Sequence, residues 1–360
     1  MNKHKLYKNI IVFAAVSAGF LILCGILVYV IDPFFHYHRP LEGFPYVVDN
    51  QLTQNPGMAE HMDYDSVILG SSMTFNFNTG WFEETMGLQT IKLSYSGSYP
   101  KDLSNIMQFV FDGKHEVRRA FVAIDPATYS AGKDTIKFPI PEYLYDQNPL
   151  NDVNYLLNRE VILDYCIRPI FNPDPTDLST VYETWWTPEY YNESWVLQWY
   201  ERPAACEKRI EPEEFLQRAR INMEENVLPY IRNNPDTTFT VFFPPYSVLY
   251  WDMADRENHL DATLEMFRYL MEELTACENV EVFFFTDEEE IVTDLNNYAD
   301  YIHYSPEISR YMTECFADGK EKITAGDIDG RIRHLRQIYE NFDFEGLFAQ
   351  YPYFPNLFDE

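Results

Sequence analysis

Two short stretches of this 360-residue chain carry side chains that could act on a substrate. The first is Val67-Ile68-Leu69-Gly70-Ser71-Ser72-Met73-Thr74, an apolar run that ends in small residues. A small-residue turn after a strand can expose a hydroxyl and aim backbone N–H groups at one point. A serine nucleophile needs both, access and donors for the developing oxyanion. The second stretch is Asp300-Tyr301-Ile302-His303-Tyr304-Ser305-Pro306. An aspartate and a histidine three apart fit in one short turn, so the carboxylate can reach the imidazole. The ionised carboxylate then fixes the tautomer and stabilises the imidazolium, which leaves the other ring nitrogen to take a proton. Taken alone, each stretch reads first as an ordinary turn with a helix cap. Together they supply a nucleophile, a base and its orienter in Ser72, His303 and Asp300.

The elements that must position these residues follow a βα rhythm. Short β-rich runs lie at 66–69, 90–93, 120–125, 238–243 and 280–285. Helical patterns lie at 102–111, where Leu103, Ile106, Met107 and Val110 share a face, and at 213–233 and 258–275. Another helix opens at Pro306 behind Ser305 as N-cap and runs to about Ala317. The alternation predicts an α/β fold, a three-layer α/β/α arrangement around a mainly parallel five-stranded sheet. In such a sheet ligands bind beyond the C-terminal strand ends. Ser72 follows the first strand and His303 the last. The rhythm fails between about 130 and 210, a stretch with four of the six tryptophans, Trp185, Trp186, Trp195 and Trp199. It reads as an insertion capping the sheet's C-terminal edge. Its aromatics form a small core of their own, or stack on sugars or meet a partner. An aromatic tail at 346–360, preceded by Phe342 and Phe344, is expected to pack back on the domain.

A serine after the first strand with Asp-x-x-His after the last resembles the SGNH (GDSL-like) superfamily of esterases and acyltransferases. The resemblance covers about residues 60 to 320. The stretch from Asn55-Pro56-Gly57 through Tyr64-Asp65-Ser66 to Thr74 is similar to the membrane-anchored Gram-positive members, the D-alanyl-lipoteichoic acid type among them. In these the first block, Gly-Asp-Ser, often reads Gly-Ser-Ser. The resemblance implies an SGNH/flavodoxin-like domain over 61–345, with Ser72 as nucleophile, His303 as general base and Asp300 as its orienter. It implies an oxyanion hole at the Ser71-Ser72 turn and at Gly97 of Leu93-Ser94-Tyr95-Ser96-Gly97-Ser98. The third block departs from the family pattern. Where Gly-x-Asn is usual, this chain has Val122-Ala123-Ile124-Asp125-Pro126, and Asp125 either lines the site or caps a turn. The segment Phe243-Pro244-Pro245-Tyr246-Ser247 is placed to form a wall of the cleft.

The chemistry implied is attack by Ser72 on an acyl ester. Passage of the acyl group to water makes an esterase; passage to a glycan hydroxyl makes an O-acyltransferase. The other reading is a non-catalytic, membrane-tethered binding or assembly factor for envelope polymer on a fold that has lost activity, which the absent asparagine favours. No cofactor or metal is expected, since the chain has neither a phosphate-binding glycine loop nor zinc-type Cys/His spacing. The pair His36 and His38 reads as interfacial packing.

Residues 10–31 contain no charged side chain, and Lys3, Lys5 and Lys8 precede them. This length spans roughly the ~30 Å of a bilayer core. The flanking charge predicts a single-pass anchor with residues 1–9 cytoplasmic, a juxtamembrane lead-in at 32–60 and the bulk extracytoplasmic. A cleaved signal peptide would end in a small-residue exit site, which is absent. Leu21-Ile22-Leu23-Cys24 matches a lipobox only loosely, because Leu23 stands where a small residue belongs. Pro33, Pro40, Pro45 and Pro56 are expected to exclude a long helix from the lead-in. The chain carries 57 acidic and 27 basic residues, a formal charge of −30 that argues against nucleic acid and against broad electrostatic adhesion to anionic lipid. The expected partners are an acylated envelope glycan or polymer, the membrane through 10–31, and a multi-span membrane acyltransferase as a candidate. Cys166, Cys206, Cys277 and Cys315 permit two disulfides or four free thiols.

Overall fold

The computed structural model describes residues 3–183 and 187–351. Its contacts divide the chain into two compact units, Met1–Asp63 with Phe138–Val181, and Tyr64–Lys137 with Tyr182–Glu360.

The second unit is an α/β fold around one six-stranded sheet. Its strands are β1 (Ser66–Leu69), β2 (Thr90–Lys92), β3 (Arg119–Ala123), β4 (Thr238–Phe243), β5 (Val280–Phe284) and β6 (Lys322–Ile323), in the order β2-β1-β3-β4-β5-β6. The first five are parallel, and β6 is antiparallel to β5. The register sets Leu69 opposite Val122, Ala123 opposite Phe242 and Phe243 opposite Phe284. The chain therefore leaves β1, β3, β4 and β5 at one common edge. The five expected strands are all present, and β6 is the departure from the expected count. With two residues it has no alternation or apolar run to reveal it.

Helices at Pro100–Val110, Leu260–Thr275 and Pro306–Asp318 follow the predicted patterns. Gly319, at φ +80, ends the last of them. Ser305 holds the N-cap position, but its side chain makes no capping bond. The helix expected over 213–233 is interrupted. Pro212–Asn222 passes into a wide turn at Met223–Val227 before Leu228–Asn233, because Pro229 has no N–H to return to the preceding turn.

The first unit opens with the helix Lys3–Ile31, whose part Leu6–Ile31 is long and apolar enough to cross a membrane. Most of its large apolar side chains are exposed, Phe13 and Val16 among them, so it is not the core helix of a soluble domain. The lead-in is more ordered than its prolines predict, with a helix over Gln51–His61 that contains Pro56. Proline there deprives the Leu52 carbonyl of its helical donor, and the Tyr145 hydroxyl supplies one at 2.9 Å. Gly57 lets the chain pass close, since a Cβ would stand 2.1 Å from the Phe34 carbonyl oxygen.

Residues 138–181 belong with this lead-in, whereas one domain over 61–345 with a cap at about 130–210 was the expectation. The reason is a shared polar and aromatic core. Tyr155 donates to Asp32 at 2.9 Å, Tyr165 donates to Asp49 at 2.7 Å, and Phe34 stacks on Tyr155. His36 packs edge-on to Tyr155, and His38 bonds the Tyr29 and Arg39 carbonyl oxygens. Trp195 stacks on Tyr190 and touches the half-exposed Trp199, while Trp185 and Trp186 lie outside the described residues. In the aromatic tail Phe348 packs on Tyr200 and Arg202; Tyr353, Phe354 and Phe358 lie outside the described residues. Cys24, Cys166, Cys206, Cys277 and Cys315 are free thiols.

Candidate active site

The first strand delivers its serines through a turn that only glycine can open. A Cβ at Gly70 would stand 2.6 Å from Thr74 Cγ2 and 2.8 Å from Ala123 Cβ. Beyond it Ser72–Thr74 forms a single 3-10 turn. Ser71 caps it, accepting from the Met73 N–H on its side chain at 3.2 Å and from the Thr74 N–H and hydroxyl on its carbonyl. Two buried side chains reach this segment from other elements. The Tyr304 hydroxyl donates to the Met73 carbonyl, and Lys92 Nζ donates to the carbonyls of Phe75 and Phe77 at 2.5 and 2.7 Å. Ser72 itself is only partly buried.

The other half of the site lies in the loop after β5. Asp300 Oδ1 accepts from the backbone N–H groups of Ile302 and His303, both at 2.8 Å. That turn leaves Asp300 Oδ2 facing His303 Nδ1 at 2.7 Å. His303 Nε2 then points at Ser72 Oγ, 2.8 Å away. The loop is held from the segment after β4. Ser247 Oγ donates to the Tyr301 carbonyl at 2.6 Å, and Tyr298 donates to the Pro245 carbonyl at 2.8 Å. Asn76 closes the frame by donating to the Tyr304 carbonyl at 2.8 Å. Burial pushes the Asp300 carboxyl up, but the hydrogen bond and charge of His303 and the two backbone N–H groups outweigh it and leave it below the usual carboxylate range.

Ser71 and Asp125 meet each other beneath this turn. Asp125 is buried, accepts from Tyr246 at 2.7 Å and is hydrogen-bonded by the Ser71 side chain. Burial pushes its carboxyl up, only partly offset by those two hydroxyls and by His303. Asp125 thus supports the serine turn from below. Gly97 sits in the loop after β2, whose Tyr95 N–H donates to the Gly70 carbonyl at 2.9 Å. It has φ +63, and a Cβ there would stand 3.0 Å from Lys137 Cε. The structure brings Ser72, His303 and Asp300 into one relay and Ser71 and Asp125 into a second pair. It places Gly97 in the loop that follows β2, the strand next to β1.

A cleft of about 430 Å³ is lined by Asn76, Glu183, Tyr191, Asn296, Asn297, Ser305 and Glu307, and none of Ser72, His303 and Asp300 is among its lining residues. Among the described residues no three His, Cys, Asp or Glu side chains converge as metal ligands would. Sequence reasoning did not find Lys92, Tyr304 or the bonding of Tyr246. Lys92 had a signal, a lone lysine inside the apolar run Thr90-Ile91-Lys92-Leu93. The tyrosines had none, because their partners are distant in sequence. No family model matches the chain, and no curated protein matches it.

Proposed function

We propose that this protein is an extracytoplasmic serine esterase or O-acyltransferase, tethered by its N-terminal helix, that acts on acyl esters of cell-envelope polysaccharide or teichoic-acid-like polymer. The proposal includes an SGNH-like three-layer plan for the sheet-bearing unit. The observation that carries it is the unbroken relay from Ser72 Oγ to His303 and Asp300. His303 Nε2 takes the Ser72 proton as Oγ bonds to the ester carbonyl carbon. The oxyanion formed is held by the N–H groups of Ser72 and Gly97. Its collapse expels the alcohol, which leaves with the proton from His303. Water or a glycan hydroxyl then gives its proton to His303 and attacks the acyl-serine, and as the acyl C–O bond breaks His303 returns that proton to Ser72 Oγ. With Lys3, Lys5 and Lys8 before the span, the N-terminus is cytoplasmic and the chain after Ile31, including the sheet-bearing unit, lies outside.

The full chain in lipid nanodiscs tests this with a chromogenic acetyl ester, with and without an oligosaccharide acceptor. Turnover by the wild type and its loss in Ser72→Ala and His303→Ala are expected. Turnover that survives both substitutions contradicts the mechanism. The second reading, a binding or assembly factor, is favoured by Asp125 in place of the third-block asparagine. It predicts polymer binding that Ser72→Ala leaves intact, with no turnover by the wild type.

A further inference from the structure

Among the described residues, unit Met1–Asp63 with Phe138–Val181 holds eight of the ten large exposed hydrophobic residues found outside the N-terminal helix, although it is the smaller unit. Five of them lie on one stretch, Leu150, Val153, Leu163, Ile170 and Phe171, with Leu150 and Phe171 86% and 76% exposed. The stretch forms three short helical segments, Val153–Leu156, Val161–Ile167 and Arg168–Phe171. Its inner side chains are committed elsewhere. Tyr155 and Cys166 are fully buried, and Tyr155 joins Asp32 and the Phe34 N–H.

What covers the outer side follows from where this stretch touches the N-terminal helix. Its first two segments pack against that helix. Gly25 marks the place, since a Cβ on it would meet Leu156 and Leu157 at 3.9 Å, and Val28 is fully buried. Phe13, Val16 and Phe20, further down, remain exposed. A bilayer core of ~30 Å takes about 20 helical residues. Counted from Lys8, the last charged residue before the span, the core ends near Tyr29. Gly25 and Val28 therefore fall at the outer edge of the hydrocarbon, and the segments packed on them lie at the same depth.

We infer that the stretch 150–171 is a second membrane-contacting element, lying in the plane of the outer lipid interface with Leu150, Val153, Leu163, Ile170 and Phe171 in contact with acyl chains. The occupant is the bilayer. Arg159 and Arg168 are the only basic residues of the stretch, against Asp152, Glu160 and Asp164, so contact is apolar and independent of anionic headgroups. The tether is then a helix with a flat shelf at its outer end, which fixes the orientation of this unit on the membrane. The inference rests on the N-terminal helix crossing the bilayer, and the experiment separates the two.

The full chain is reconstituted alone in phosphatidylcholine vesicles, and again with added phosphatidylglycerol, with a diazirine carried on the lipid acyl chain. Photolysis adducts are mapped by peptide mass spectrometry. Adducts are expected on the N-terminal helix and on 150–171 in both lipid mixtures. Their yield on 150–171 should be about tenfold above that at Trp199 and Ile221, exposed apolar residues of the other unit. The double variant Ile170→Glu/Phe171→Glu should lose the adducts of this stretch and keep those of the helix. Adducts on the helix with none on 150–171 would overturn the inference alone and give that surface to a protein partner. A helix without adducts would overturn the membrane span as well.

Discussion

Ser72 and His303 are separated by 231 positions in the chain, and the serine Oγ lies 2.8 Å from the histidine Nε2. Parallel strands account for this meeting. β1 and β5 run the same way, so the turn after one and the loop after the other open at the same edge. The carboxylate of Asp300 completes the relay because its other oxygen is occupied by the N–H groups of its own turn.

Asp300→Asn should lower turnover on the order of 10⁴-fold, since the amide no longer fixes the His303 tautomer. The carboxyl of Asp300 sits below its usual range in the folded chain. It therefore contributes stability that is present above about pH 4 and is lost as pH falls through the lower folded value. Acid unfolding of Asp300→Asn, followed by circular dichroism, should be less steep than that of the wild type. Identical acid limbs would contradict this.

Gly70→Ala forces a methyl group against Thr74 and Ala123. The expected cost is about 1–3 kcal/mol in urea unfolding, with the Ser72 turn displaced and turnover reduced. An alanine variant with wild-type stability and rate would show that the turn does not need glycine.

Asp125 separates charge from hydrogen bonding. Burial raises its carboxyl, so the folded state holds the proton more tightly and this group's contribution to stability declines as pH rises from about 4 to the folded value. Asp125→Asn keeps an acceptor for Tyr246 without that charge. At pH 7 it should be at least as stable as the wild type. Asp125→Ala leaves the Tyr246 hydroxyl unpaired and should cost about 1–3 kcal/mol. Equal losses in both variants would contradict the assignment.

Lys92 is buried, and that burial pushes its ammonium down to about 7. The unfolded chain titrates near 10.4, so the unfolded state binds the proton more readily between these values. Stability should rise as pH is raised from 7 to 9, by about 2 kcal/mol from this residue. The measurement is urea unfolding at both pH values for the wild type and Lys92→Met. The variant should lack the rise while losing the bonds to Phe75 and Phe77; parallel profiles would count against it.

The five parallel strands were legible because each is an apolar run of β-prone residues, and the relay residues because their types and their places after strands narrow the chemistry. The supports were not. Tyr246 meets Asp125 across 121 positions and Tyr304 meets Met73 across 231, distances over which no periodicity speaks. The division into two units was hidden for the same reason, since Asp32 and Tyr155 are separated by 123 positions. Pro56 misled because its cost is met by a distant hydroxyl, that of Tyr145.

The central claim is that Ser72 is a nucleophile activated by His303. Intact protein is treated with a serine-directed fluorophosphonate, and the modified residue is located by peptide mass spectrometry. The account predicts one adduct per chain, on Ser72, absent from Ser72→Ala and strongly slowed in His303→Ala. Equal labelling of wild type and Ser72→Ala, or an adduct located on another serine, would contradict it.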